Sequence, residues 1–259
     1  TNLLKDKKYE YIYDISAYTK DDVELLIKVI NKENLKNYIF CSSGAVYEES
    51  DEILNEESKR GFNKNWGDYG LFKKEAEDFL FKINIEENFP MTIFRPTYIY
   101  GNGNNLYRES YIFERILNNK DIPIPKSEKK NQFIYIDDLL KTFESVMYTK
   151  NSIGKAYNLT NIEELTWKEL CENAMNIVGK KVNIKEIDYI EKNLEVRSFF
   201  PFRDVTFLLG IDKLIKDGLY EPKIGINEGL QKTFKWYLEE KPILRDKRMV
   251  EIESLLKGE

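Results

Sequence analysis

The 259-residue chain carries 42% apolar and 14% aromatic side chains, a composition that predicts a packed core and excludes collagen-like, coiled-coil-only and wholly disordered proteins. Its 40 basic and 45 acidic residues give a net charge of -5, the sign opposite to that expected for binding phosphate backbones, so we expect no nucleic-acid partner. No stretch approaches the roughly 20 apolar residues that span a bilayer, and the charged first residues do not form a signal peptide. We therefore expect no membrane association and a cytoplasmic location.

The chain contains no histidine and two cysteines, Cys41 and Cys171, which lie far apart in the sequence. This pattern excludes closely spaced zinc ligands, a Cys/His pair and a Ser/His/Asp triad, so we expect no metal. Because histidine is the commonest general base, proton chemistry in this chain must use Tyr, Lys, Asp, Glu or Cys side chains.

The first elements predict a β-α-β unit. Tyr9–Ser16 is an apolar run that indicates a buried strand followed by a tight loop. Asp21 or Asp22 then caps a helix whose apolar residues recur at helical spacing up to Ile30, and Asn37–Cys41 is the next predicted strand.

The alternation continues with a polar loop over residues 48–68, a helix over 69–84 and the strand Met91–Arg95, which Pro96 ends. Strands that alternate with crossover helices predict a doubly wound α/β fold, with a parallel sheet and helices on both faces.

The pattern changes after Gly103. The elements predicted there are a helix over 110–117, a proline-punctuated stretch at 122–126, a return strand over 132–136, a helix over 137–147, a strand at 156–160, and helices over 166–178 and 227–239. We assign residues 1–103 and 132–150 to the sheet domain, and residues 104–131 and 151–259 to a smaller α/β lobe.

Tyr69 and Lys73 lie four residues apart at the start of a predicted helix, so their side chains share one face. A free tyrosine titrates near about pH 10, and acid–base work at neutral pH therefore needs a nearby cation that favours the phenolate. Lys73 is placed to be that cation. In a chain with 17 tyrosines the pattern alone is unspecific, and an ordinary exposed pair is the alternative.

The segment Cys41-Ser42-Ser43-Gly44-Ala45-Val46-Tyr47 places small hydroxyl residues at the carboxyl end of a predicted strand. Open parallel sheets bind ligands at this edge. The alternative is a plain strand-to-loop turn, for which Ser-Gly is well suited.

With these residues in place, the chain resembles an extended short-chain dehydrogenase/reductase of the NAD-dependent epimerase/dehydratase family, whose members act on nucleotide sugars. The segments that carry the resemblance occur in family order: YDISAY, NYIFCSSGAVY, YGLFK, FRPTYIYGNGN, QFIYIDDLL, AYNLT and GLYEPKIGINEGLQKTFKWY. The resemblance implies a Rossmann-like dinucleotide-binding domain that lacks its N-terminal strands, beside a substrate-binding lobe.

The resemblance also implies NAD or NADP as cofactor and assigns roles to single residues. Ser43 would bind the substrate hydroxyl, Tyr69 would exchange its proton, and Lys73 would hold the nicotinamide ribose and lower the tyrosine pKa. The residues implied for the cofactor are Ile15, Ser16, Ala17, Ser42, Tyr69, Lys73 and Pro96. Those expected for the substrate are Ser43, Tyr98, Asn131, Arg197 and Arg203.

The sequence departs from the family at its start. The family opens with a glycine-rich turn that cradles the pyrophosphate, whereas the first glycine here is Gly44. We expect that this part lies upstream of Thr1, because the apolar segment Tyr9–Ser16 needs sheet neighbours on both sides. A deliberate fragment and a natural loss are the alternatives. The loop Gly101–Leu106 lacks the third glycine of the fingerprint and is not expected to bind the cofactor.

Two further departures concern the chemistry. Gly44 and Ala45 follow Ser43 where 4,6-dehydratases of the family carry an Asp-Glu pair, which disfavours dehydration. Asn131 occupies the position where many members carry a pyrophosphate-binding arginine. Arg197 or Arg203 would have to substitute, although an ordinary surface role is the alternative for both.

We therefore expect an NAD(P)-dependent epimerase or oxidoreductase that acts on a sugar-nucleotide-like substrate, with a homodimer implied by the resemblance. The alternative is a non-catalytic member of the superfamily, either a dinucleotide sensor or a binding protein of the chloroplast stem-loop-binding type.

Overall fold

A computed structural model describes residues 2–257, with side chains from Leu4 onwards. The helices are α1 (Asn2–Lys5), α2 (Lys20–Val29), α3 (Asp68–Glu87), α4 (Glu109–Leu117), α5 (Ile136–Ser145), α6 (Trp167–Val178), α7 (Asp212–Lys216), α8 (Ile226–Glu240) and α9 (Ile252–Lys257). The strands are β1 (Tyr11–Asp14), β2 (Asn37–Cys41), β3 (Met91–Pro96), β4 (Tyr98–Tyr100), β5 (Ile122–Pro125), β6 (Phe133–Tyr135), β7 (Lys155–Leu159) and β8 (Ile184–Ile187).

The chain divides into two compact units. The first contains Thr1–Tyr98, Asp137–Ile162 and Phe207–Lys223, and the second contains Ile99–Ile136, Glu163–Thr206 and Ile224–Glu259. Within residues 2–257, no helix is long and apolar enough to cross a bilayer.

The first unit is built on a sheet of parallel strands in the order β1-β2-β3-β7. The predicted α/β fold with a parallel sheet is confirmed. Strand β7 pairs with β3, Pro96 lying opposite Leu159. Residues 155–159 therefore belong to this sheet, and their placement in the smaller lobe was wrong. Both β3 and β7 are buried along almost their whole length, as expected for strands covered on two faces.

Helices cover both faces of this sheet. On one face, α2 and α3 pack Val23, Ala76 and Leu80 against side chains of the sheet such as Phe40 and Ile93. On the other face, Phe143 of α5 stacks on Phe94 of β3, with ring centroids 4.9 Å apart. Because successive residues of a strand point to opposite faces, Ile93 packs under α2 and α3 whereas Phe94 packs under α5.

The cap of α2 differs from the prediction. Thr19, rather than Asp21 or Asp22, is the N-cap, and its hydroxyl accepts from the Asp22 amide. The Asp22 carboxylate accepts from the Thr19 amide in return, at 2.8 Å. Asp22 is thus the third residue of a capping box, in which threonine supplies the cap and the acidic residue completes it.

The second unit contains the small sheet β5-β8, most of the small sheet β4-β6, and the helices α4, α6 and α8, which pack against one another. The stretch Ile122–Pro125, treated above only as proline-punctuated, is strand β5 and pairs in parallel with Ile184–Ile187. Proline can occupy a strand whose amide faces no partner, which a two-stranded sheet allows. The two prolines of this segment therefore prevented its prediction as a strand.

Candidate functional site

Three parallel strands end at one edge of the sheet in the first unit. Asp14 ends β1, Cys41 ends β2 and Pro96 ends β3. The segments that follow these strands include the predicted residues Ile15–Ala17 and Ser42–Ser43. This carboxyl edge is where open α/β sheets bind ligands.

Lys73 of helix α3 lies at the same edge. Its ammonium group donates to the carbonyl oxygen of Ala17 at 2.8 Å and to that of Cys41 at 2.7 Å. It also lies 4.8 Å from the centroid of the Phe40 ring, a cation–π contact. Lys73 thereby joins the chain after β1 to the end of β2. A lysine ammonium has three donors, so one remains beyond these two bonds.

Lys73 is 5% exposed, and burial lowers the pKa of its ammonium group below the ordinary lysine value. The charges of neighbouring groups oppose this shift. A buried, hydrogen-bonded cation at a ligand-binding edge differs clearly from the ordinary exposed Tyr/Lys pair that was the alternative.

Tyr69 lies one helical turn before Lys73 and is half-buried. Its ring packs against that of Tyr18, with centroids 5.1 Å apart. The next residue, Gly70, touches the backbone after β2: a Cβ atom there would lie 2.2 Å from the carbonyl oxygen of Ala45. The start of α3 is therefore fixed against the turn that follows Ser43.

Ser43 and Ser42 have different environments. The hydroxyl oxygen of Ser43 accepts from the amide of Ala45 at 3.1 Å and caps a short 3-10 turn over Gly44–Val46. Ser42 is 2% exposed, and its hydroxyl has no hydrogen-bond partner among the described residues. A buried hydroxyl without a partner is uncommon, and a ligand that reaches this edge could supply one.

The other residues predicted for the cofactor differ in exposure. Ile15 and Ser16 are exposed, Ile15 by 68%, whereas Ala17 is buried. Pro96 is buried at the end of β3. The loop after β1 therefore presents apolar and hydroxyl side chains to solvent.

Sequence reasoning missed Asp14, a buried carboxylate at the end of β1. Its oxygens accept from the amide of Ala17 at 2.9 Å and from the hydroxyl of Tyr38. The signal was present in the sequence, because an acidic residue at the end of an apolar strand is rarely buried without a specific partner.

Cys41 does not add a nucleophile to this edge. Burial raises the pKa of its thiol to about 11, so the thiol stays protonated at neutral pH. No cluster of metal-ligating side chains occurs in residues 2–257.

The residues predicted for the substrate fall in both units. Tyr98 is in the first unit, where its ring contacts those of Trp66 and Phe207. Asn131, Arg197 and Arg203 are in the second.

Asn131, Arg197 and Arg203 differ in burial and in their hydrogen-bond partners. Asn131 is fully buried, and its side-chain amide has no hydrogen-bond partner within the described part of the chain. Arg197 donates to Asp246 at 2.9 Å, so that carboxylate balances its charge. Arg203 is partly exposed.

The loop after β4 is hydrogen-bonded to the carboxylate of Glu109. The buried carboxylate of Glu109 accepts from the Gly101 amide at 3.3 Å and from the Asn104 side chain at 2.8 Å. The Gly101 amide is therefore already hydrogen-bonded within the chain.

Positions 44 and 45, where the dehydratases carry an acidic pair, are closely packed in this chain. A Cβ atom at Gly44 would lie 2.7 Å from the Phe207 ring and 2.8 Å from Leu209. The neighbouring Ala45 is completely buried. A side chain at position 44 would therefore require Phe207 and Leu209 to shift.

Residues 10–160 match the NAD dependent epimerase/dehydratase family. The chain belongs to this family. The match covers more than half of the chain and includes β1, β2, β3 and Lys73, so the predicted membership is confirmed.

Individual relatives are more distant. The chain is 27% identical over 240 residues to the chloroplast stem-loop binding protein of 41 kDa b from Arabidopsis thaliana, covering 89% of this chain and 59% of that protein. It is 23% identical to the dTDP-D-glucose 4,6-dehydratase of Mus musculus, covering 89% of this chain and 62% of the enzyme. The chain thus spans about three fifths of the length of these curated relatives.

A solved structure supports the fold. The UDP-glucose 4-epimerase of Thermotoga maritima, solved with UDP-glucose, superposes with a TM-score of 0.73 at 20% identity, covering 90% of this chain and 78% of that one. The Rossmann-like fold class is therefore confirmed.

Proposed function

We propose that the complete protein is an NAD(P)-dependent enzyme that oxidises a hydroxyl of a nucleotide-sugar-like substrate, either returning the hydride as an epimerase or acting as an oxidoreductase. The observation that carries this proposal is Lys73, a buried ammonium that bridges the carbonyls of Ala17 and Cys41 one helical turn from Tyr69. Membership of the NAD dependent epimerase/dehydratase family supports it.

The residues at the carboxyl edge fit a nicotinamide cofactor. The unpartnered hydroxyl of Ser42 and the remaining donor of Lys73 are polar groups that a ribose could satisfy. The residues that would hold the cofactor are Ile15, Ser16, Ala17, Ser42, Tyr69, Lys73 and Pro96. When bound, it would accept a hydride from the substrate carbon and return it.

In this proposal, two side chains act on the substrate oxygen and a third supports them. Ser43 binds the sugar hydroxyl, and the Tyr69 phenol oxygen takes the hydroxyl proton as the carbonyl forms. The same oxygen gives the proton back when the carbonyl is reduced, so protons balance over a cycle. Lys73, held by two backbone carbonyls, fixes the positive charge at this edge.

The nucleotide-sugar class is supported by the relatives. One is a dTDP-D-glucose 4,6-dehydratase, and a solved neighbour holds UDP-glucose. Ser43, Tyr98, Asn131, Arg197 and Arg203 stay the predicted substrate residues. Gly44 and Ala45, which stand where the dehydratases carry an acidic pair, disfavour dehydration.

The second candidate is a non-catalytic superfamily member. It is suggested by the likeness to the Arabidopsis stem-loop binding protein. The net charge of -5 and the buried Lys73 beside Tyr69 give it less support. A homodimer and the absence of a nucleic-acid partner stay predictions.

Tyr69→Phe in the complete protein tests the proposal. With UDP- and dTDP-sugars and NAD(P), kcat should fall about 100- to 10,000-fold, the usual effect of losing a general acid or base. Tyr18→Phe is the matched control, because it removes the hydroxyl from the ring that packs on Tyr69 and should leave kcat nearly unchanged. Turnover by Tyr69→Phe at the wild-type rate would reject Tyr69 as the acid–base residue.

A further inference from the structure

Asp14 occupies an unusual position for a charged residue. It is 3% exposed and lies opposite Phe40 in the β1–β2 register, on the sheet face that α2 and α3 cover. Burying a carboxylate is costly unless its oxygens are hydrogen-bonded, so the partners of Asp14 indicate what the carboxylate does.

Both oxygens of Asp14 accept from uncharged donors. One accepts from the Ala17 amide at 2.9 Å, and the other from the Tyr38 hydroxyl. Burial, together with the charge of Asp14, raises the pKa of Tyr38, so the phenol keeps the proton that it donates. The carboxylate is therefore held at both oxygens by donors that bring no positive charge.

The Ala17 bond connects Asp14 to Lys73. The amide of Ala17 donates to Asp14, and the carbonyl of the same residue accepts from the Lys73 ammonium at 2.8 Å. Ile15 and Ser16, which lie between Asp14 and Ala17, are exposed. Asp14 therefore anchors a short exposed loop at the residue that holds the lysine.

Asp14 also differs from the other groups that act on the Lys73 charge. Burial depresses the pKa of Lys73, and Cys41, Asp14, Glu77 and Asp22 oppose that effect. The Cys41 thiol is protonated at neutral pH, and Glu77 is bound by Arg95 and Arg60.

Asp22 is exposed to water and committed to the capping box of α2. Asp14 combines burial with uncharged partners, so its charge is the least screened of the four.

We propose that Asp14 is a positioning residue for Lys73, which anchors the loop that carries the Ala17 carbonyl and supplies the buried counter-charge of the ammonium. An effect of Asp14 on catalysis, through Lys73, rests on the proposed function. The structural claim itself concerns groups of this chain alone and can be measured without substrate or cofactor.

The experiment is trace acetylation of the folded protein with acetic anhydride at several pH values, followed by mass spectrometry. The measured quantity is the ratio of Lys73 to Lys74 modification. Lys74 is an internal reference, because it follows Lys73 on α3 and pairs with Asp78 at 2.7 Å. Asp14→Asn removes the charge but keeps an oxygen for the Ala17 amide, whereas Asp14→Ala removes both.

We expect the ratio to rise in Asp14→Asn, by about tenfold for each unit by which the pKa of Lys73 falls, and to rise further in Asp14→Ala. The pH at which Lys73 becomes reactive should fall in both variants. Asp14→Asn is nearly isosteric and decides the question if Asp14→Ala does not fold.

Asp138→Asn is the matched control for a general loss of stability. Asp138 is also a buried carboxylate, and it likewise accepts from a tyrosine hydroxyl and a backbone amide, those of Tyr220 and Lys223. The Lys73 to Lys74 ratio should stay at its wild-type value in this variant.

An unchanged ratio in folded Asp14→Asn, or an equal rise in Asp138→Asn, would overturn the inference. The outcome is separate from that of the proposed function. A rise in the ratio without turnover of any sugar nucleotide would support the role of Asp14 and reject the proposed enzyme activity. Turnover with an unchanged ratio would support the enzyme activity and reject the role of Asp14.

Discussion

Gly70 and Ala45 approach so closely that a Cβ atom at position 70 would lie 2.2 Å from the Ala45 carbonyl oxygen. This contact fixes the first turn of α3, which carries Tyr69, against the turn after Ser43. Glycine is needed here for close backbone approach, although within a helix it is less favourable than alanine by about 1 kcal/mol.

Gly70→Ala should therefore destabilise the protein despite the better helix propensity of alanine. We expect the free energy of unfolding to fall by about 1–3 kcal/mol, the usual cost of overpacking, in chemical denaturation. Gly210→Ala is the control, since the nearest atom to its added Cβ would be 3.6 Å away. A stable Gly70→Ala variant would show that α3 can move off the turn without cost.

The second prediction concerns the buried ion pair between β3 and α3. Glu77 is completely buried and accepts from Arg95 at 2.7 Å and from Arg60 at 2.9 Å. Removing one partner from a buried pair leaves an uncompensated charge, at a typical cost of about 3–5 kcal/mol.

Glu77→Gln should lower the free energy of unfolding by about that amount, measured by denaturant titration at neutral pH. The neighbouring Asp78→Asn also removes a carboxylate that Arg60 contacts, at 2.8 Å, but Asp78 is 42% exposed at its side chain. It should cost less than about 1 kcal/mol. Equal losses in the two variants would contradict the importance of burial at Glu77.

The third prediction is a pH dependence. Burial raises the pKa of Glu109 above the ordinary value of 4.5. As the pH rises past about 4.5, the unfolded chain loses this proton while the folded protein keeps it, so Glu109 lowers stability progressively until its folded pKa is passed.

Glu109→Gln does not titrate, and its amide oxygen can accept the bonds from Gly101 and Asn104. The free energy of unfolding of Glu109→Gln relative to wild type should therefore rise as the pH increases above about 4.5. Denaturation of both proteins at a series of pH values measures this difference. A difference that is independent of pH would contradict the prediction.

The sequence predicts the elements that depend on neighbouring residues better than it predicts contacts between residues that are distant in the chain. Asn37–Cys41 was predicted with its observed bounds, because a short apolar strand is set by its own residues. The strand Lys155–Leu159 was recognised as a strand but assigned to the wrong domain, since its pairing with β3 is a long-range contact.

In the candidate site, too, local spacing was predictable and long-range contacts were not. Tyr69 and Lys73 could be singled out because helical spacing alone puts them on one face. The two carbonyls that hold Lys73 belong to residues distant in sequence, Ala17 and Cys41, and the bond from Asp14 to Ala17 depends on a loop conformation that no periodicity encodes. Long-range bonding and loop geometry were therefore beyond prediction from the sequence.

The last prediction concerns the role of Lys73 in cofactor binding and in stability. Lys73→Met in the complete protein keeps an unbranched apolar side chain, but removes the ammonium that contacts Phe40 and would bind the nicotinamide ribose. Affinity for NAD(P)H should fall, as measured by nicotinamide fluorescence. The free energy of unfolding at neutral pH should also fall, because the variant leaves the buried Asp14 and the Ala17 and Cys41 carbonyls without the ammonium, although it removes the cost of burying a charge.

Lys74→Met is the control, since it removes an ammonium from the next residue of the same helix without touching the carboxyl edge. It should bind NAD(P)H with wild-type affinity. Below the ordinary lysine pKa of 10.5, the depressed pKa of Lys73 makes the wild-type protein gain stability as the pH rises, and Lys73→Met should lose this slope. Wild-type affinity in Lys73→Met would remove this residue from the cofactor site, whereas loss of the slope with loss of affinity would assign both effects to one buried ammonium.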